Sequence, residues 1–88
     1  MAHDDLIVID LVARAGDGDG DAWVELVNRF APLVFTICRQ HFRLPPAECE
    51  DVAQGVWLEL IRALPRLRAP AALPGWLATT TRHECLRH

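Results

Sequence analysis

Cys38 and His41 stand three positions apart, and His83 and Cys85 stand two apart near the other end of the chain. Thiolate and imidazole ligands in close pairs are what a structural zinc site uses. Cys38, however, falls on an apolar stripe, where cysteine behaves as a small hydrophobe. The run Gly16-Asp17-Gly18-Asp19-Gly20-Asp21 alternates like the start of a calcium loop. An EF-hand needs Gly at its sixth position and Glu at its twelfth, and Ala22 and Asn28 stand there instead. The run therefore reads as a turn ending in an Asp helix cap. No nucleophile–base pairing, Gly-rich phosphate loop or carboxylate pair in an apolar setting is present, so neither an enzyme nor a cofactor is expected.

The remaining chemistry is ionic. All nine basic side chains are Arg, the residue suited to bidentate phosphate contact and stacking on bases, although a GC-rich genome produces the same bias. Residues 1–60 carry four Arg against eleven Asp and Glu, whereas residues 61–88 carry five Arg against one Glu. The net charge of −3 thus conceals an acidic and a basic part, with a polyanion as a plausible partner of the second. The chain has the size of one domain near the lower limit for a self-sufficient core. Three cysteines and no signal-like start fit a reducing cytoplasm. No apolar run approaches the length needed to cross a membrane.

Four helices must position these groups, and nothing reads as a strand; the expected class is an all-α bundle. Asp4 and Asp5 can cap a first helix to about residue 15, with Leu6, Ile9 and Val12 along one side. The second, about 20–42, repeats apolar residues at Trp23, Leu26, Val27, Phe30, Leu33, Val34, Ile37 and Cys38. Pro32 removes a backbone donor, so a kink near 28–32 is expected. Pro45-Pro46 starts the third, about 46–64. Its core side is Cys49, Val52, Ala53, Val56, Leu60 and Leu64, flanked by Trp57 and Ile61. Asp51, Gln54, Gly55, Leu58 and Arg62 lie opposite. Leu58 is not needed for that core, and Gly55 allows another backbone to approach, so this side is a candidate docking face. Pro65, Pro70 and Pro74 keep the basic 65–74 stretch stiff and non-helical. Pro74 then starts a fourth helix, about 75–87. Its Thr79-Thr80-Thr81 run is poor helix material, so Trp76 and Leu77 are expected to hold it by packing.

Three blocks together resemble region 2 of a bacterial RNA polymerase sigma factor of the small extracytoplasmic-function (ECF) group. They are Asp21-Ala22-Trp23 with Glu25-Leu26, Glu50-Asp51-Val52-Ala53-Gln54-Gly55-Val56-Trp57-Leu58, and Leu73-Pro74-Gly75-Trp76-Leu77-Ala78-Thr79-Thr80-Thr81-Arg82. The resemblance covers nearly the whole chain. It implies that the third helix, with the second, grips the clamp helices of the polymerase β′ subunit, through Glu50, Asp51, Gln54 and Leu58. It implies also that the 65–74 loop captures a flipped base of the −10 promoter element on the non-template strand, and that the fourth helix holds the melted strand. Arg62, Arg66, Arg68, Arg82 and Arg87 would supply cations, and Trp76, Thr79 and His83 the base-side contacts. An anti-sigma factor is a further conceivable partner.

The chain departs from the family pattern in three places. Many relatives carry an acid where Gly55 stands and Asn where His83 stands. Housekeeping sigma factors use a Trp-Trp pair where this chain has Trp76-Leu77, which implies weaker strand separation. An 88-residue region 2 lacks the helix-turn-helix that reads the −35 element, so the chain reads as part of something longer. Two alternatives accompany this reading: a sigma-like helical interaction domain that never touches DNA, and a small zinc-binding helical domain.

Overall fold

The computed structural model describes residues 3–67 and 69–88, with side chains from Asp5 onward. All regular structure among them is helical: α1 (His3–Gly16), α2 (Gly20–Thr36), α3 (Pro46–Ala63) and α4 (Leu73–Leu86). A π-helical turn, Ile37–His41, extends α2, and two single 3₁₀ turns, Leu64–Arg66 and Pro70–Ala72, join α3 to α4. Helix α1 packs on α2 and α3 on α4, and both 3₁₀ turns rest against α1. No described helix is long and apolar enough to cross a membrane.

One core runs through all four helices. Leu11, Leu26, Val34, Cys38, Cys49, Val52, Val56, Leu60, Leu73 and Leu77 are all essentially inaccessible. On α3 the expected core side is the buried one throughout, from Cys49 to Leu60, and Leu64 follows it in the 3₁₀ turn. On α2 the stripe is also recovered, with Ala22 added and Trp23, Val27 and Leu33 only half-buried. The α1 expectation is corrected. Its buried residues are Val8, Leu11 and Val12, whereas Leu6 is 54 % exposed and Ile9 half-buried. The sequence from Leu6 to Val12 is apolar enough to support two helical phases. The phase through Val8, Leu11, Val12 and Ala15 has the i, i+3, i+4, i+7 spacing that faces α2.

Helix ends also differ from expectation in instructive ways. Helix α1 already runs through Asp4 and Asp5, which therefore do not cap it. The cap of α2 is Asp19, whose Oδ1 accepts from the N–H groups of Asp21 at 3.0 Å and Ala22 at 3.2 Å. Its Oδ2 accepts from Arg14 Nε at 3.0 Å, and Arg14 also reaches Asp10. The turn before it needs Gly18, with φ of 94°. Ala22 and Arg14 together hold the Asp19 carboxyl below its usual range. Helix α2 remains α-helical through Pro32, and the departure from α geometry comes later. There Phe42 N–H bonds to Ile37 C=O at 3.2 Å, the five-residue spacing of a π turn, and Leu44 N–H closes the end with a six-residue bond to Cys38 C=O at 3.0 Å.

Helix α4 starts at Leu73, two residues earlier than expected, with Pro74 in its first turn, where a missing N–H costs nothing. Leu73, Leu77, Thr81 and Cys85 form its buried row, and Trp76 is only half-buried. Packing of that row, with the half-buried Trp76 against the core beside it, holds the threonine-rich helix. Thr81 fits because its hydroxyl donates to Leu77 C=O at 2.7 Å, which satisfies a fully buried polar group.

Candidate polymerase and nucleic-acid interface

Helix α3 carries the first face. Glu50, Asp51 and Gln54 are exposed, and Leu58 is 55 % exposed although the core is completed on the other side. Beside Gln54 and Leu58 lie Trp23 from α2 and Trp57 and Ile61 from α3, which line one shallow depression with them. A second depression continues from Trp23 and Ile61 to the Gly16–Gly20 turn and Pro65. Sequence periodicity assigned Trp23 to the core and Trp57 and Ile61 to its flanks. The structure leaves the two tryptophans half-buried and Ile61 51 % exposed. The signal for Trp57 and Ile61 was their place on the edge of the α3 wheel, and for both tryptophans the bulk of indoles that one small core cannot enclose.

Gly55 is approached by a side chain, not by a backbone as expected. A Cβ at Gly55 would stand 3.0 Å from Oε2 of Glu84 and 3.3 Å from its Cδ. Glu84 comes from α4, has a side chain only 16 % exposed, and pairs with Arg87. A carboxylate from another helix thus lies over Gly55, an approach that linear reading could not find.

The second face belongs to α4 and the segment before it. Thr79, Arg82, His83 and Leu86 are exposed on the side of α4 away from its buried row. Leu86 is 73 % exposed and had not been singled out in the sequence. His83, Leu86 and Arg87 line a shallow depression. Of the Arg residues, Arg62 lies 3.5 Å from Glu59, and Arg66 donates to the Arg62 carbonyl at 3.4 Å. Arg87 is held by Glu84 and remains 68 % exposed. Exposed pairs of this kind contribute little and are readily exchanged for a phosphate. Arg68 lies outside the described residues.

The irregular connection is shorter than expected, because Leu64–Arg66 and Pro70–Ala72 are 3₁₀ turns and Leu73 belongs to α4. Leu64 and Leu73 are buried and Leu67 half-buried, so the connection is pinned at three points. Between it and α1 is a cleft of about 380 Å³ lined by Ile9, Val12, Ala13, Leu64, Pro65, Leu67 and Pro70, with Asp17 at its edge. Its size lies in the range of small-ligand pockets.

The cysteines and histidines considered for zinc do not form a site. Cys38 and Cys85 Sγ atoms are 3.6 Å apart in the core, but His41 and His83 are exposed. Among the described residues no three ligating side chains converge to hold a metal ion. Burial, followed by the contact with Cys85, pushes the Cys38 thiol up to about 12.

The all-α bundle thus presents one face with exposed Glu50, Asp51, Gln54 and Leu58 on α3 and another with exposed Arg82, His83, Leu86 and Arg87 on α4. Residues 26–88 match the family model for Sigma-70 region 2. Over 73 residues the chain is 36 % identical to the ECF RNA polymerase sigma factor ShbA of Streptomyces griseus, covering 77 % of this chain and 38 % of that relative. The chain belongs to the sigma-70 region 2 family, and within it to the ECF type. No solved structure matches it. It spans well under half the length of the ECF relative it matches.

Proposed function

We propose that this domain docks on the clamp helices of RNA polymerase β′ and holds the opened −10 element of a promoter during transcription initiation, without covalent chemistry of its own. The docking surface is Glu50, Asp51, Gln54 and Leu58, extended by Trp57, Ile61 and Trp23. The observation that carries this reading is Leu58: a leucine half out of a helix whose core side is already complete, in a row with two polar residues and beside an apolar depression. Such a surface suits the apolar and polar ridges of a coiled coil. The activity would be exercised in the cytoplasm, where the polymerase works.

Strand holding falls to α4 and the connection before it. Arg82 and Arg87, with Arg62 and Arg66, neutralise phosphates, Arg68 being expected from the sequence to join them, and His83 and Thr79 face the bases. Trp76, half-buried near the helix start, leaves part of its side chain open to a base. The cleft beside Pro65–Pro70 is the natural receptacle for one flipped base, since it offers apolar side chains to stack on, a larger polar surface for hydrogen bonds, and walls pinned before the ligand arrives.

The test is binding of single-stranded oligonucleotides across a salt titration. A −10-like non-template strand should bind better than a scrambled strand of equal length, with a salt slope of about −0.7 for each phosphate neutralised. Equal binding of the two strands, together with retained binding to polymerase core, would leave the domain as a protein-interaction module only.

A further inference from the structure

Glu84 is the charged residue of α4 that turns toward α3. At about 100° per residue it lies close to the direction of Leu77, in the buried row, while Thr79, Arg82, His83 and Leu86 point the other way. It reaches α3 over Gly55, where the absent side chain lets its carboxylate lie against the helix backbone. On the α3 wheel, Gly55 lies within about 60° of both Asp51 and Leu58. The Glu84 carboxylate is therefore at the margin of the docking face and still 16 % exposed.

The fold gains little from a charge there. Among the described residues it pairs with Arg87, three residues on and largely in solvent, and such pairs contribute little. Helix α3 itself brings Glu48, Glu50, Asp51 and Glu59 against one Arg, so it offers repulsion more than support. A half-desolvated carboxylate in that setting is well prepared to accept a cation from outside.

From this geometry we infer that Glu84 is a specificity-determining residue of the polymerase-docking surface, which is thereby built from both α3 and α4, and that it receives an Arg or Lys side chain of the clamp. This rests on the docking reading above. Docking would also draw Glu84 away from Arg87, leaving that guanidinium available to the DNA strand.

The experiment measures affinity of the chain for RNA polymerase core enzyme by fluorescence anisotropy, with circular dichroism melting as a check on folding. Asp51→Ala tests the docking reading, and Glu84→Gln, Arg87→Ala and Gly55→Glu/Glu84→Ala test the inference. Glu84→Gln should weaken binding about fivefold or more with an unchanged melting temperature, as loss of a charge partner at an interface does. Arg87→Ala should bind at least as well as the unmodified chain. The double variant returns a carboxylate to the same place from α3 and should recover to within about threefold of the original affinity.

Loss of binding in Asp51→Ala with Glu84→Gln unaffected would overturn the inference and leave docking intact. So would an Arg87→Ala loss equal to that of Glu84→Gln, which would mark the pair as structural, or a double variant as weak as Glu84→Gln. Failure of both Asp51→Ala and Glu84→Gln to weaken binding would sink the docking reading itself.

Discussion

Leu58 and Leu60 are two residues apart on α3 and should respond in opposite ways to the same truncation. Full burial of a leucine side chain is worth about 1.5–3 kcal/mol. Leu58 is 55 % exposed in the free domain, so about half of that, roughly 1–1.5 kcal/mol, remains to be gained on docking. Alanine keeps one methyl group, which leaves a loss of about 1 kcal/mol, or about fivefold in Kd for polymerase core. The folded domain should hardly notice Leu58→Ala, because the removed atoms are mostly in water. Leu60 is fully inaccessible, and Leu60→Ala should cost about 2–5 kcal/mol of stability through lost burial and a cavity. Urea unfolding followed by circular dichroism gives the stabilities, and anisotropy of a labelled domain titrated with core enzyme gives the affinities. The reasoning fails if Leu58→Ala binds within about 1.5-fold of the unmodified domain, or if it loses more than about 1 kcal/mol of stability.

Three further outcomes are expected. Arg82→Ala should weaken binding of a −10-like single strand and flatten its salt dependence by about one phosphate's worth, with polymerase affinity unchanged. The chain has no Lys and no Tyr, so cysteine thiols are the side chains that titrate at moderately alkaline pH. Cys38, pushed from 9.0 up to about 12 by burial, keeps its proton in the folded state while the unfolded chain loses its own. The Cys38 contribution to stability should therefore be constant below about pH 9 and fall from there toward about pH 12, as read by urea midpoints, with a smaller alkaline fall in Cys38→Ala. Asp19→Ala should lower the melting temperature at neutral pH by removing the α2 cap. Because the Asp19 carboxyl is held below its usual value by the Ala22 N–H and then by Arg14, the difference from the unmodified domain should close as pH falls through that depressed value.

What the sequence disclosed depended on whether a signal was local. The buried side of α3 was legible residue by residue, because Cys49, Val52, Ala53, Val56 and Leu60 repeat cleanly between polar neighbours. The same periodicity misled in α1, where Leu6, Ile7, Val8, Ile9, Leu11 and Val12 permit more than one phase and only contact with α2 decides. Pro74 was legible as the start of α4, since proline is at home in the first turn of a helix, but burial of Leu73 sets that start slightly earlier. The π turn at Ile37–His41 left no mark that periodicity could detect. On the candidate site, the exposure of Asp51, Gln54 and Leu58 was foreseeable from helical phase alone. The arrival of Glu84 over Gly55 was not, because it depends on how α4 crosses α3.

The buried row of α4, Leu73, Leu77, Thr81 and Cys85, advances by four residues at a time. Four residues turn a helix by about 400°, so each step gains about 40° and the row rotates by about 120° from end to end. The solvent-facing side must rotate with it. A nucleic-acid strand laid along α4 would therefore be contacted by Gly75 and Thr79 from one bearing and by His83 and Arg87 from another. The strand would be screwed about a third of a turn around the helix, so successive bases would be presented in different directions. Base spacing that matches this pitch, rather than any one side chain, would then set how many nucleotides the helix can read.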